Sequence, residues 1–191
     1  MVKTKDSVLQ VTQHSNRYSA ISITMHWLMF LLMVAVYACI ELREIYPKGS
    51  DPREALKMWH FMLGLCVLLL IWVRLFFIIK NKSPEIMPTP PRWQHMLSKA
   101  VQGVLYLLMI GLPILGWLML SAKGKVIPFF GLELPALMAE NKQLGDLFKK
   151  IHETGGTIGY YLIGLHTIAA LFHHYVMRDN TLLRMLAKRT K

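Results

Sequence analysis

Along the 191 residues, apolar positions gather into four long blocks separated by polar segments. The blocks cover about 23–42, 55–80, 96–121 and 151–177. At 1.5 Å per residue, each is long enough for a bilayer hydrocarbon core of about 30 Å. Backbone groups in hydrocarbon must be satisfied within the segment, so each block predicts a transmembrane helix. Between the second and third blocks, Pro84, Pro88, Pro90 and Pro91 predict an extended connector. Pro113, between Gly111 and Gly116, predicts a kink in the third helix. The longer segment 121–150 holds Pro128-Phe129-Phe130-Gly131 and Pro135, and is amphipathic enough to lie on the membrane surface. The expected fold is an all-α membrane protein: one domain over 1–191, an up-down bundle of four transmembrane helices.

Composition agrees with this and adds an orientation. Hydrophobic residues make up 54% and charged residues only 17%, against about 25% charged in soluble domains. The formal charge is nonetheless +11, from 22 Lys and Arg against 11 Asp and Glu. A nucleic-acid partner would account for the charge but not for the apolar content, so none is expected. One side of the bundle collects Lys3, Lys5, Arg17, Arg74, Lys80, Lys82, Arg92, Lys99, Arg178, Arg184, Lys188, Arg189 and Lys191, with the acids Asp6, Glu85 and Asp179. That is thirteen basic and three acidic residues, leaving nine and eight of the totals for the other side, a net +10 against +1. The excess of Lys and Arg in cytoplasmic loops predicts a multi-pass membrane protein with both termini in the cytoplasm. Cys39 and Cys66 lie inside apolar blocks, which excludes a disulfide framework or a cysteine zinc site.

Histidines inside the blocks carry the candidate chemistry, because an ionisable group in hydrocarbon is costly to place there. A single such histidine could simply hydrogen-bond a neighbouring helix; four at matched depths point further. With this orientation, His26 lies near the inner end of the first span and His60 near the outer end of the second. His152 lies near the outer end of the fourth span, and His166 is 14 residues deeper, about 21 Å and nearly four whole turns along. The fourth span therefore offers one imidazole at each depth, His152 level with His60 and His166 level with His26. Two such pairs suit two haems stacked across the membrane, each held by two axial histidines. Zinc usually takes four clustered ligands, where each depth here supplies a pair. Gly64, Gly155, Gly156, Gly159 and Gly164 near these histidines fit either close approach to a porphyrin or plain helix packing.

The chain also resembles a known family. The resemblance lies in Arg17-Tyr18-Ser19 followed by Met25-His26-Trp27, in His60 with Gly64, in His152-Glu153, in Gly164-Leu165-His166, in His173-His174-Tyr175, and in the segment from Arg178 to Met185. Together these are similar to the bacterial cytochrome b-561 family, over nearly the whole chain, and most of all to its small di-haem members that pass electrons from superoxide to ubiquinone. The resemblance implies two haem b groups, the outer on His60 and His152 and the inner on His26 and His166, with all four histidines binding haem iron. It implies electron transfer from an anionic periplasmic donor, such as superoxide, to ubiquinone near the cytoplasmic face. Where the family pattern carries a basic residue in the Pro-rich connector, this chain has Thr89, with Arg92 the nearest cation.

Further residues are candidates around this pathway. His173, seven residues past His166 on nearly the same face, is placed to bind the quinone, and Arg17, Tyr18 and Ser19 at the mouth of the first span to contact quinone or haem. His174 reads as a solvated interfacial residue, and Tyr18 equally as an interfacial anchor. Arg74 is placed to pair with a haem propionate or to snorkel to a lipid phosphate. On the outer side, Arg43, Lys48, Arg53, Lys57, Lys123, Lys125, Lys149 and Lys150 could draw an anion towards the outer haem, against eight acids. Two other functions stay open: a cytochrome subunit serving a partner dehydrogenase or periplasmic redox carrier, and a non-redox membrane scaffold or transporter.

Overall fold

Each of the four long helices begins at a residue that can satisfy or dispense with the unpaired N–H groups of a first turn. In the computed structural model, which describes residues 17–81 and 83–186, α1 spans Ala20–Leu42 behind Ser19, whose hydroxyl accepts from the Ser22 N–H. Helix α2 spans Asp51–Lys80 with Pro52 in its first turn, where the missing N–H costs nothing. Helix α3, Arg92–Ala122, starts directly after Pro91 and continues unbroken through Pro113. Helix α4, Lys142–Tyr175, is capped by Asn141, whose side chain accepts from the Leu144 N–H. All four are long and apolar enough to cross a membrane, and many of their apolar side chains face outward, among them Leu31, Leu69, Phe76, Leu107 and Ile168. The protein is thus a multi-pass membrane protein folded as a four-helix bundle.

Two helices run well beyond their apolar blocks. At 34 residues, α4 is about 51 Å long, and its first two turns, rich in Lys and Asp, extend past the hydrocarbon. The segment expected as one long surface loop therefore contains the start of α4. The rest is also ordered, as a β-hairpin of β1, Ile127–Phe129, and β2, Leu132–Leu134, paired antiparallel. Its turn residues Phe130 and Gly131 lie at φ 46° and 85°, as a two-residue turn of this hand requires. The Phe130 N–H donates to Met62 Sδ at 3.3 Å, and Ile127 packs with Leu65 and Leu120, which fastens the hairpin to the outer ends of α2 and α3.

Backbones approach closely along α3–α4, α1–α2 and α2–α3. A second buried cluster, Met29, Val67 and Ile71 with Leu32, Met33 and Tyr106 against it, joins α1, α2 and α3 midway down. Helices α1 and α4, and likewise α2 and α4, have at most marginal backbone contact. These are the two combinations that carry histidines at matched depth.

At the other end of the bundle the chain turns back after α4 and fastens three segments together. Arg178, at φ 55°, reverses the direction. Asn180 accepts from the Met87 N–H at 2.9 Å and donates to the Glu85 carbonyl at 3.2 Å. Arg184, 7% exposed, donates to the Pro84 carbonyl and lies over the Tyr18 ring at 5.6 Å. The Tyr18 N–H donates to the Arg184 carbonyl at 3.1 Å, and Trp27 Nε1 to the Met185 carbonyl at 2.9 Å. Residues 179–186 thus clasp the start of α1 and the Pro-rich connector to the end of α4. Of the residues in the orientation count, Lys3, Lys5, Asp6, Lys82, Lys188, Arg189 and Lys191 lie outside the described residues.

Asn180→Ala removes two of the clasp's hydrogen bonds and leaves the Met87 N–H without its acceptor. The expected loss is about 1–3 kcal/mol, read as a lower Tm of the detergent-solubilised protein; an unchanged Tm would show that the clasp contributes no stability.

Candidate functional site

Helix α4 organises the interior, because His152 and His166 lie close to four turns apart and so project from nearly the same side at two depths. Opposite His152 stands His60 of α2, with ring centroids 6.0 Å apart and ring planes at 77°. Opposite His166 stands His26 of α1, with centroids 6.4 Å apart and planes at 64°. The structure therefore brings together the histidines matched by depth in the sequence.

The outer two are held alike. His60 Nδ1–H donates to the Val36 carbonyl at 3.0 Å, and His152 Nδ1–H donates to the Leu112 carbonyl at 2.9 Å. A carbonyl oxygen only accepts, so the proton is on Nδ1 and the Nε2 lone pair is left for a metal, the usual arrangement of a metal-bound histidine. Gly116 makes room for this ring: a Cβ there would stand 3.4 Å from His152 Cε1. At the inner pair the partner differs in kind, since Nδ1 of His26 accepts from Nη2 of Arg74 at 3.2 Å.

Haem can be tested against this geometry. Two metal–nitrogen bonds of about 2.0 Å, with about 1.1 Å from each nitrogen to its ring centre, put two axial imidazole centroids about 6.2 Å apart; the two observed separations bracket this value. A Cβ added at Gly64 or Gly156, each one turn from a histidine, would meet nothing within 4 Å, which leaves space beside His60 and His152 for the edge of a flat group, whereas Gly155 and Gly159 are packed against Leu112 and Tyr37. Among the described residues no three of His, Cys, Asp and Glu converge as a metal cluster. The donor set is thus two separated imidazole pairs, with glycines beside them and ligand-bearing helices held apart, which fits haem better than a four-ligand zinc site.

Beneath the inner pair, His173 Nδ1 meets Asp179 Oδ2 at 2.5 Å. Asp179 is only 5% exposed. Burial pushes its carboxyl upward, but the hydrogen bonds from His173 and Thr181 outweigh this and hold it below the usual carboxylate range. Arg17 donates to the Leu186 carbonyl at 2.9 Å, and Tyr18 lies under Arg184. Ser19 is occupied as the α1 cap, and its hydroxyl also accepts from Asn81 at 3.3 Å. Arg74 turns into the bundle, where Nε donates to the Tyr106 hydroxyl at 3.1 Å and Nη1 to the Ser22 carbonyl at 3.4 Å, rather than out towards lipid phosphate.

The outer cations do not form an open funnel. Arg43 and Arg53 pair with Glu44, Lys57 with Glu54, Lys123 with Asp146 and Lys149 with Glu153. Arg53, 7% exposed, also donates to the carbonyls of Arg43 and Tyr46 and so braces the turn between α1 and α2. Four acids thereby offset half of the eight positive charges expected to attract an anion. Sequence reasoning did not single out the Val36 and Leu112 carbonyls, Tyr106, Asp179 or Arg184. Backbone acceptors leave no mark on a sequence; the one signal available was an acid, Asp179, just past a helix that ends in histidines.

Comparison with known proteins yields relatives over almost the full length. Residues 17–188 match the family model described as prokaryotic cytochrome b561. The chain is 38% identical over 174 residues to cytochrome b561 homolog 1 of Escherichia coli, covering 91% of this chain and 99% of the relative. It is 39% identical over 173 residues to the probable superoxide oxidase CybB of Yersinia pestis, covering 91% and 97%. It is 29% identical over 176 residues to cytochrome b562 of Cereibacter sphaeroides, covering 90% and 96%.

Gly116→Val drives a branched side chain into the His152 ring. The expected result is loss of about half the haem absorbance of the purified protein, with the inner pair retained; full haem content would show that Gly116 does not position His152.

Proposed function

Because the chain belongs to the prokaryotic cytochrome b561 family, and is therefore a membrane b-type cytochrome, we propose that it oxidises superoxide at the outer face and reduces ubiquinone near the cytoplasmic face. The observation that carries this reading is the pair of histidine couples at two depths of one bundle, a two-stage path across the membrane. His60 and His152 hold the outer haem b, and His26 and His166 the inner. Haem supplies reversible one-electron carriage. His60 with His152, and His26 with His166, would each commit both imidazoles to a haem, which would supply one-electron transfer from the donor.

Superoxide as donor is supported by the likeness to a protein named probable superoxide oxidase. Overall, two superoxide anions each lose one electron to leave O2, and one ubiquinone takes up two electrons and two protons to become ubiquinol. The protons enter on the side of the clasp. There His173, backed by Asp179, presents its Nε2 to a quinone carbonyl, while Arg17 and Tyr18 form the rim of the site and Ser19 fixes the start of α1 beside it. Asp179 faces Nδ1 and holds the imidazole in one orientation, with Nε2 left for the quinone. This side is the cytoplasmic one, with both termini on it, in a bacterial inner membrane, consistent with the excess of basic residues there.

The reading is tested by stopped-flow mixing of the oxidised protein with superoxide, with and without ubiquinone. Haem reduction faster than spontaneous dismutation, followed by ubiquinol formation, is expected. His173→Ala leaves the first phase unchanged and slows ubiquinol formation on the order of tenfold, the effect of one lost hydrogen bond to a reacting group. No haem reduction by superoxide would leave a cytochrome that serves another electron donor.

A further inference from the structure

Helices α2 and α4 both run from the outer end of the bundle inward, and both repeat a functional position after 14 residues. On α4 the positions hold His152 and His166; on α2 they hold His60 and Arg74. Fourteen residues are nearly four turns, so α2 turns one side to both depths. It offers an imidazole at the outer level and a guanidinium at the inner.

The guanidinium is held there by three donated bonds. They run to the Tyr106 hydroxyl at 3.1 Å, to Nδ1 of His26 at 3.2 Å and to the Ser22 carbonyl at 3.4 Å. A neutral His26 that binds metal through Nε2 carries its proton on Nδ1 and cannot accept from Nη2, so with haem bound this third bond is given up and the guanidinium stays at this depth on the Tyr106 and Ser22 bonds. Among the described residues no carboxylate pairs with Arg74. It is a cation within the span of α2, without an acid beside it, next to one inner histidine.

The outer pair is surrounded in the opposite sense. His60 and His152 both donate from Nδ1 to backbone carbonyl oxygens. Such a bond pushes electron density towards the other ring nitrogen and makes it a more basic ligand, which favours oxidised iron. A positive charge in a medium of low dielectric does the reverse and favours the centre that holds one more electron. Ligand identity is the same at both depths, so the surroundings decide the difference in potential.

Building on the two-haem reading above, we infer that Arg74 raises the reduction potential of the inner haem above that of the outer haem, and so sets the direction of electron flow from the outer face inward. Arg74 is a positioning and tuning residue that acts through its charge. A propionate partner for the guanidinium would leave the sign of this effect unchanged, because removing the cation still removes stabilisation of the reduced state.

The test is spectroelectrochemical titration of the full-length protein in nanodiscs. His152→Ala isolates the inner haem and His26→Ala the outer. In the His152→Ala background, Arg74→Gln and Arg74→Met each lower the midpoint potential, while Arg74→Lys, which keeps the charge, retains most of it. Either neutral variant suffices if the other accumulates poorly. In the His26→Ala background the same substitutions leave the potential in place. An inner potential unmoved by loss of the charge, or a shift of equal size in both backgrounds, overturns the inference while the two-haem reading stands. A spectrum without haem in either background overturns both, and is seen before any potential is measured.

Discussion

An imidazole placed in hydrocarbon must find a partner for each ring nitrogen, and this requirement organises the bundle. One nitrogen of His60 and one of His152 are satisfied by backbone carbonyls of neighbouring helices, Val36 on α1 and Leu112 on α3. Each of these bonds ties two helices together at a fixed depth and aims the other nitrogen into the interior. Helix α3 contributes no histidine to either pair, yet it is essential to the outer one: Leu112 supplies the acceptor and Gly116 the clearance for the ring. Its long contact with α4 therefore positions the helix that serves both depths.

The two ends of the bundle are built differently, in keeping with different tasks. At the outer end, the hairpin and the ion pairs around Glu44, Asp146 and Glu153 make a surface with little net charge. The outer end buries one cation, Arg53, whereas the inner end buries charge of both signs. Asp179 and Arg184 are both almost wholly enclosed, and the clasp they stabilise joins His173 to the start of α1 and the connector. For the proposed quinone chemistry, this polar, ordered edge would lie next to the inner histidine pair. Arg74, one and a half turns from the end of α2, extends this asymmetry into the membrane.

Much of this was legible in the sequence. The apolar blocks marked four helices, and the spacing of His152 and His166 against His60 and His26 sorted the histidines by depth. Three features were not legible. Helix α4 begins at Lys142, well before its apolar block, because a helix persists through polar residues once Asn141 caps it. The loop before it folds as a hairpin because Gly131 readily takes positive φ and Ile127 finds an apolar seat, while Phe130 is held at φ 46° against its own preference. The eight acids on the outer side already weighed against a broad funnel, but which acid meets which cation was not legible; Glu44 is next to Arg43 in sequence but reaches Arg53 only through the fold of the turn. Arg74 stood out as a charge in a span, but its neighbours Tyr106 and Ser22 come from two other helices.

The central claim is that each chain holds two haems, each between two histidines. Haem-to-protein stoichiometry of the purified protein, measured as the pyridine complex and combined with low-temperature EPR of the oxidised form, tests it most directly. The account predicts two haem b per chain, both low-spin. One haem per chain, or a high-spin signal from a centre with a free axial position, would contradict it.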